Sequence, residues 1–227
     1  MIRFDQVHKR YANGREALAG VSFQIDEGEL AFLTGHSGAG KSSILKLIAL
    51  IERPSRGQVF VNNQNTSGIK SRGIPEFRRR LGVVFQDHKL LHDRSVGDNV
   101  ALPLIIVGVA KREIDKRVRA ALDQVGLLGK EKIRPLELST GEQQRVGIAR
   151  AVVAKPSLLI ADEPTGNLDP DLALEIMRLF KRFNEVGVTV VIATHDVHLI
   201  DQFGARRIVL GDGRVTDAGL AAPLGAS

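Results

Sequence analysis

The apolar positions of this chain fall into short runs. Those at 21–25 (VSFQI), 30–34 (LAFLT), 59–61 (VFV), 83–85 (VVF), 158–161 (LLIA) and 188–194 (VTVVIAT) have strand length. The runs at 30–34, 158–161 and 188–194 are almost continuous in Leu, Ile, Val and Ala, the pattern of strands covered on both faces in a parallel sheet. A different period appears at Ile114, Val118, Ala121, Leu122 and Val125, with Lys116, Arg117 and Arg119 on other faces. That stripe predicts a surface helix packing on its own core. Between Gln86 and Leu138 only helical spacings and Gly or Pro breaks occur, which predicts a helical subdomain, about 88–150, inserted between sheet strands. The segment IVLGDGRVT (208–216) reads as a hairpin turning on Gly-Asp-Gly. The class is α/β, with a single domain over 1–217 and a frayed tail, small and breaker-rich, at 218–227.

Composition narrows this picture without naming a function. A length of 227 residues with 43% apolar residues supports a sizeable core. The 32 basic and 26 acidic residues leave +6, which suits phosphate ligands, anionic headgroups or nucleic acid and chooses among none of them. The absence of cysteine excludes disulfides, zinc knuckles and thiol chemistry. The N-terminus lacks the apolar core of a signal peptide, so export by that route is not expected. The most apolar run, Val100–Ala110, is interrupted by Pro103 and is far shorter than the ~20 residues that span a bilayer.

The chemistry concentrates at three strand ends. GHSGAGKSS, Gly35 to Ser43, satisfies G-x-x-x-x-G-K-S between an apolar strand and an apolar-periodic helix, the context a phosphate loop requires. Gly35, Gly38 and Gly40 let backbone amides curl round an anion, His36, Ser37 and Ala39 complete the loop, Lys41 supplies a cation, and Ser42 can ligate Mg²⁺ at a helix start. In LLIADEP, Asp162 fits the aspartate that holds Mg²⁺, and Glu163, one residue further, can polarise an attacking water. His195 follows the strand at 188–194 and could donate to a γ-phosphate oxygen; ligands in such sheets bind beyond the carboxyl ends of strands. Gln86, after VVF, could touch Mg²⁺ or water, or cap a turn.

LSTGEQQR (138–145) contains a capping box, Ser139 with Glu142. Gly141 in that first helical turn, where glycine costs roughly 1 kcal/mol against alanine, suggests that something approaches the backbone closely. With a complete phosphate cradle already at 35–42, the helix start at Ser139, Thr140, Gly141 and Glu142 reads as a half-site that completes another copy's nucleotide pocket.

Together these residues resemble the nucleotide-binding subunits of ABC transporters, over about Ile2 to Val215. The resemblance implies a phosphate-loop NTPase core with an N-terminal antiparallel β portion. It makes 35–42 the Walker A motif, Asp162 and Glu163 the end of Walker B with its catalytic glutamate, Leu138–Glu142 the signature, Gln86 the Q-loop, Gly166–Asp169 the D-loop and His195 the switch histidine. Tyr11 takes the position of the aromatic that stacks on adenine. ATP, Mg²⁺ and a head-to-tail dimer follow, each ATP lying between the Walker A of one subunit and the signature of the other. Within the family, the stretches LTGHSGAGKSS, DHKLLHDRSVGDNVALPL and GEQQRVGIARAVVAKP look most like bacterial cell-division ATPases. That implies a cytoplasmic ATPase on the inner face of the membrane, working through an integral membrane subunit on cell-wall hydrolases, with no nucleic acid. Lipoprotein-releasing and macrolide-type exporters, which share ADEPTGNLD, are the alternative; soluble nucleic-acid or ribosome-associated ABC proteins are a weaker one. The groove for the membrane subunit is expected at Leu90, Leu91, Val96, Val100 and Leu102. Thr140 stands where the family usually has glycine.

Overall fold

The computed structural model describes residues 1–217, and the expected frayed tail at 218–227 lies outside them. Two sheets form the frame. The first contains β1 (Ile2–Arg10) and β2 (Glu16–Ile25); the second begins with β3 (Leu30–Thr34), which runs into helix α1 (Lys41–Ile48). Strands β4 (Arg56–Val61) and β5 (Gln64–Asn65) complete an antiparallel sheet in the order β2-β1-β4-β5. The short helix α2 (Ile74–Arg78) leads into β6 (Leu81–Val84). The helices α3 (Val96–Ile106), α4 (Lys111–Gln124) and α5 (Thr140–Val152) then follow before β7 (Leu158–Asp162), where the sequence predicts the helical insertion. Beyond it come α6 (Pro170–Glu185), β8 (Thr189–Ala193), α7 (Val197–Asp201), β9 (Arg206–Gly211) and β10 (Arg214–Asp217). The second sheet has the order β10-β9-β3-β8-β7-β6, parallel except for β10.

The central strands are apolar on both faces because each face closes a different core. Phe32, Leu159, Ala161, Val190 and Ile192 join the core under α3 to α6, while Ala31, Leu33, Leu158, Ile160, Val191 and Ala193 join the one shared with α1 and the antiparallel sheet. The period-2 side-chain alternation of a strand makes this partition. In the α4 stripe Val118, Ala121, Leu122 and Val125 are buried and Ile114 packs partly buried against them.

The β9–β10 hairpin turns on Asp212 and Gly213, both at positive φ (47° and 72°), as a two-residue primed turn requires. β1 has no counterpart among the predicted strands. Ile2 and Phe4 alternate inward, but Gln6 adopts φ 45° and shifts the phase, so that Val7 and Lys9 point inward instead. Opposite this bulge Gly57 holds φ +80°, and a Cβ there would lie 2.2 Å from the Gln6 carbonyl oxygen. Pro103, expected to interrupt its apolar run, lies inside α3 instead; the helix continues past it to Ile106 with the Asn99 carbonyl lacking its i+4 donor.

Candidate nucleotide site

The three predicted strand ends meet in one cleft of about 660 Å³. Of the residues singled out in the sequence, Tyr11, His36, Ser37, Gly38, Gly40, Lys41, Ser42, Ser43, Gln86, Glu163 and His195 line it. Gly35, Ala39 and Asp162 are not part of this lining, although Asp162 bonds to Ser42, which is. None of Ser139, Thr140, Gly141 and Glu142 lines the cleft.

The loop takes its shape from what a side chain would hit. Gly35 has φ +137°, and a Cβ would lie 2.2 Å from the Leu210 carbonyl oxygen; Gly40 has φ +112° with its Cβ position 2.7 Å from the Ala17 carbonyl oxygen. Strands β9 and β2 therefore press the loop from two sides. Lys41 is only 7% exposed and donates to the carbonyls of Gly35 at 2.8 Å and His36 at 3.3 Å, with Glu163 Oε1 at 3.6 Å. Its charge is thus fixed at the mouth of the cradle.

Ser42 Oγ donates to Asp162 Oδ1 at 3.1 Å, joining the head of α1 to the end of β7. Burial pushes the Asp162 carboxyl above its usual range; the Ser42 hydrogen bond opposes this and the neighbouring Glu163 charge reinforces it. Glu163 sits at φ 45°, a left-handed conformation that costs roughly 1–2 kcal/mol for a residue with a Cβ. Its N–H donates to the Ala193 carbonyl at 2.9 Å, and this tie to the end of β8 aims the carboxylate into the cleft. There His195 Nδ1 donates to Glu163 Oε2 at 2.9 Å.

Tyr11 is anchored at both ends. Its hydroxyl lies 3.1 Å from Ser43 Oγ, and Lys9 Nζ sits 5.0 Å from the ring centroid. Loss of the hydroxyl in Tyr11→Phe should reduce stability by about 0.5–1.5 kcal/mol and leave nucleotide affinity intact. Tyr11→Ala should weaken adenine binding by about 1–3 kcal/mol; titration with ATP distinguishes the two variants.

Arg15, Ala17, Lys46 and Gly166 also line the cleft. Gly166 opens the predicted D-loop, but Arg15, Ala17 and Lys46 carry no motif. Arg15 donates to the Gly38 carbonyl at 3.2 Å, a contact made when the antiparallel sheet folds over the loop. Nothing in the local sequence marks it.

The segment 139–142 forms the predicted capping box: Ser139 Oγ accepts from Glu142 N at 3.3 Å and Ser139 N donates to Glu142 Oε2 at 2.9 Å. Lys130 pairs with the other Glu142 oxygen and, with the Ser139 N–H, holds that carboxyl below its usual range. Gly141 has a reason inside the chain that the sequence reading did not contain. It is buried, and a Cβ there would come within 2.2 Å of Leu172 Cδ2 at the start of α6. Thr140, next to it, is exposed.

The expected partner groove also needs correction. Leu90, Val96 and Val100 are buried in the helical core, Leu102 is half-buried, and only Leu91 is well exposed. Apolar surface opens instead in a groove of about 450 Å³ whose lining includes Ile51, Val83, Phe85, Ile106, Val107 and Ala154. Helical register explains the difference: within α3, Val96, Val100 and Leu104 turn inward, and Ile105 and Ile106 turn out.

A cleft so built is that of an ATP-binding cassette, and the ABC transporter family matches residues 18–166. The chain belongs to that family, and its activity is ATP hydrolysis. It is 58% identical over 215 residues to the cell division ATP-binding protein FtsE of Escherichia coli, covering 95% of this chain and 97% of that protein. The Bacillus subtilis protein of the same name is 46% identical over 213 residues, covering 94% and 93%. Among solved structures, the dimeric ATP-binding cassette MJ0796, in a post-hydrolysis state bound to ADP and Pi, superposes with a TM-score of 0.90 at 36% identity, covering 99% of this chain and 100% of that one.

Proposed function

We propose that the chain is the ATPase of a bacterial cell-division complex. It is held on the cytoplasmic face of the membrane by an integral subunit of the FtsX type and closes as a head-to-tail homodimer round two ATP molecules. The likeness to FtsE along almost its whole length supports the division role. The dimer is supported chiefly by one observation: the helix start at Ser139–Glu142, an N-terminus of the kind that favours an anion, does not line its own subunit's cleft. Among the described residues no helix is long and apolar enough to cross a membrane.

In this reading the amides of 35–42 and Lys41 bind the β and γ phosphates. Glu163 accepts a proton from the attacking water, and His195 orients its carboxylate. Ser42 and Asp162 offer hard oxygen donors suited to Mg²⁺, and a carboxylate that burial drives toward protonation is one that a cation would keep ionised. Mg²⁺ bound there, with Gln86 lining the same cleft, would neutralise phosphate charge.

The partner's cytoplasmic segment occupies the apolar groove beside α3. Ile106 is 67% exposed and Val107 40%, and both line it. Ile106→Asp should abolish co-purification with the membrane subunit while ATP affinity stays within twofold, because neither residue touches the cleft. Retention of the partner by this variant would move the docking surface elsewhere, and copurification of a solute exporter instead of an FtsX-type protein would overturn the division role.

A further inference from the structure

The chain just after Gln86 is held in a conformation it would not choose. His88 and Lys89 are consecutive residues at φ 57° and 47°, the left-handed region that a Cβ disfavours. Such strain persists only where the surroundings over-determine it. Here the restraint comes from α5. Arg150, in its last turn, sends Nη1 to the Lys89 carbonyl at 2.7 Å and Nη2 to the His88 carbonyl at 2.5 Å. A planar guanidinium fits two adjacent carbonyls as a rigid fork, which a lysine ammonium cannot reproduce. One turn and a half earlier on the same helix Gln144 is fully buried, and its Nε2 and the His88 Nδ1 are both buried without a hydrogen-bond partner among the described residues.

We propose that Arg150 is a positioning residue for Gln86. Its fork locks the strained 88–89 turn onto the helix that begins at Ser139, and so holds Gln86 at the nucleotide cleft. This rests on the reading of that cleft as the hydrolytic site. The side chain also lines the apolar groove, which puts the clamp between that surface and the cleft. Desolvation in this position lowers the guanidinium's proton affinity, the expense of burying a charge whose donors are nonetheless used.

The test uses the full chain co-purified with its membrane subunit. Arg150→Met should lower kcat for ATP about tenfold with KM almost unchanged, and Arg150→Lys should recover only part of the loss. Lys89→Gly removes the Lys89 share of the strain that the fork opposes and leaves that of His88. Lys89→Gly alone should therefore leave kcat near the native value, and in the Arg150→Met background it should restore part of the lost activity. Amide exchange at 86–90 should quicken in Arg150→Met and slow again in the double variant. Parallel losses of kcat, ATP affinity and melting temperature that Lys89→Gly does not relieve would make Arg150 a merely structural residue. Unchanged exchange at 86–90 would overturn the clamp even in a preparation without ATPase activity, whereas absence of hydrolysis by the native complex would instead count against the proposed function.

Discussion

Replacing Glu163 by glutamine is expected to lower kcat by about 10² to 10⁴ while ATP binding persists, and to leave an ATP-bound dimer that gel filtration detects. The geometry gives the reason. Glutamine keeps the size of the side chain and can still accept from His195 Nδ1, now 2.9 Å from Oε2, so the switch contact survives. What disappears is the proposed base. The carboxylate's other oxygen lies 3.6 Å from Lys41 Nζ, and losing its charge frees that ammonium for the phosphates instead of weakening it. Lys41→Ala provides the opposite case. It removes a cation that also ties the Gly35 and His36 carbonyls, so it unmakes the cradle itself, and binding should be lost. Equal loss of ATP binding in both variants would contradict the division of labour between the two residues.

The phosphate loop, Glu163 and His195 were legible because each sits at the end of a strongly apolar strand. β3, β7 and β8 are buried on both faces, so their sequence pattern is unambiguous, and the residues after them must emerge on one edge of the sheet. α6 was equally visible, with Ala173, Ile176, Met177 and Phe180 at helical spacing after the cap and proline at Asp169 and Pro170, although it was not among the predicted elements. β1 was not legible. Its alternation breaks at Gln6, and the bulge is compensated by Gly57, some fifty residues on, so that no local window contains both halves of the feature. Arg15 was hidden for a similar reason, since only the folding of one sheet over another brings it to Gly38. The groove was displaced because apolar residues at α3 were assigned to the partner before the register of that helix could divide them between core and surface.

Gly141→Ala is expected to destabilise the chain by about 1–3 kcal/mol, the range of overpacking effects, and to reduce hydrolysis by the assembled complex beyond what the loss of fold explains. A methyl group there would meet Leu172 Cδ2 at 2.2 Å, and the two elements that must yield are the start of α5 and the start of α6. The first carries Ser139 and Thr140. The second is capped by Asp169, whose carboxylate accepts from Leu172 N at 3.0 Å, so the Leu172 backbone is held and its half-buried side chain has to turn aside. Leu172→Ala should make room and rescue Gly141→Ala, and melting curves of the two single variants and the double variant measure the coupling. Additive losses would show that the contact with Leu172 is not what requires glycine at 141. The proposed dimer would place an outside role on Thr140. It is exposed at the first position of the helix, and its branched Cβ limits the backbone there and adds bulk where a partner's ATP would dock. Thr140→Gly should raise the ATPase rate of the chain without its membrane subunit. A fall or no change would mean that the threonine is tolerated at the interface without restraining it.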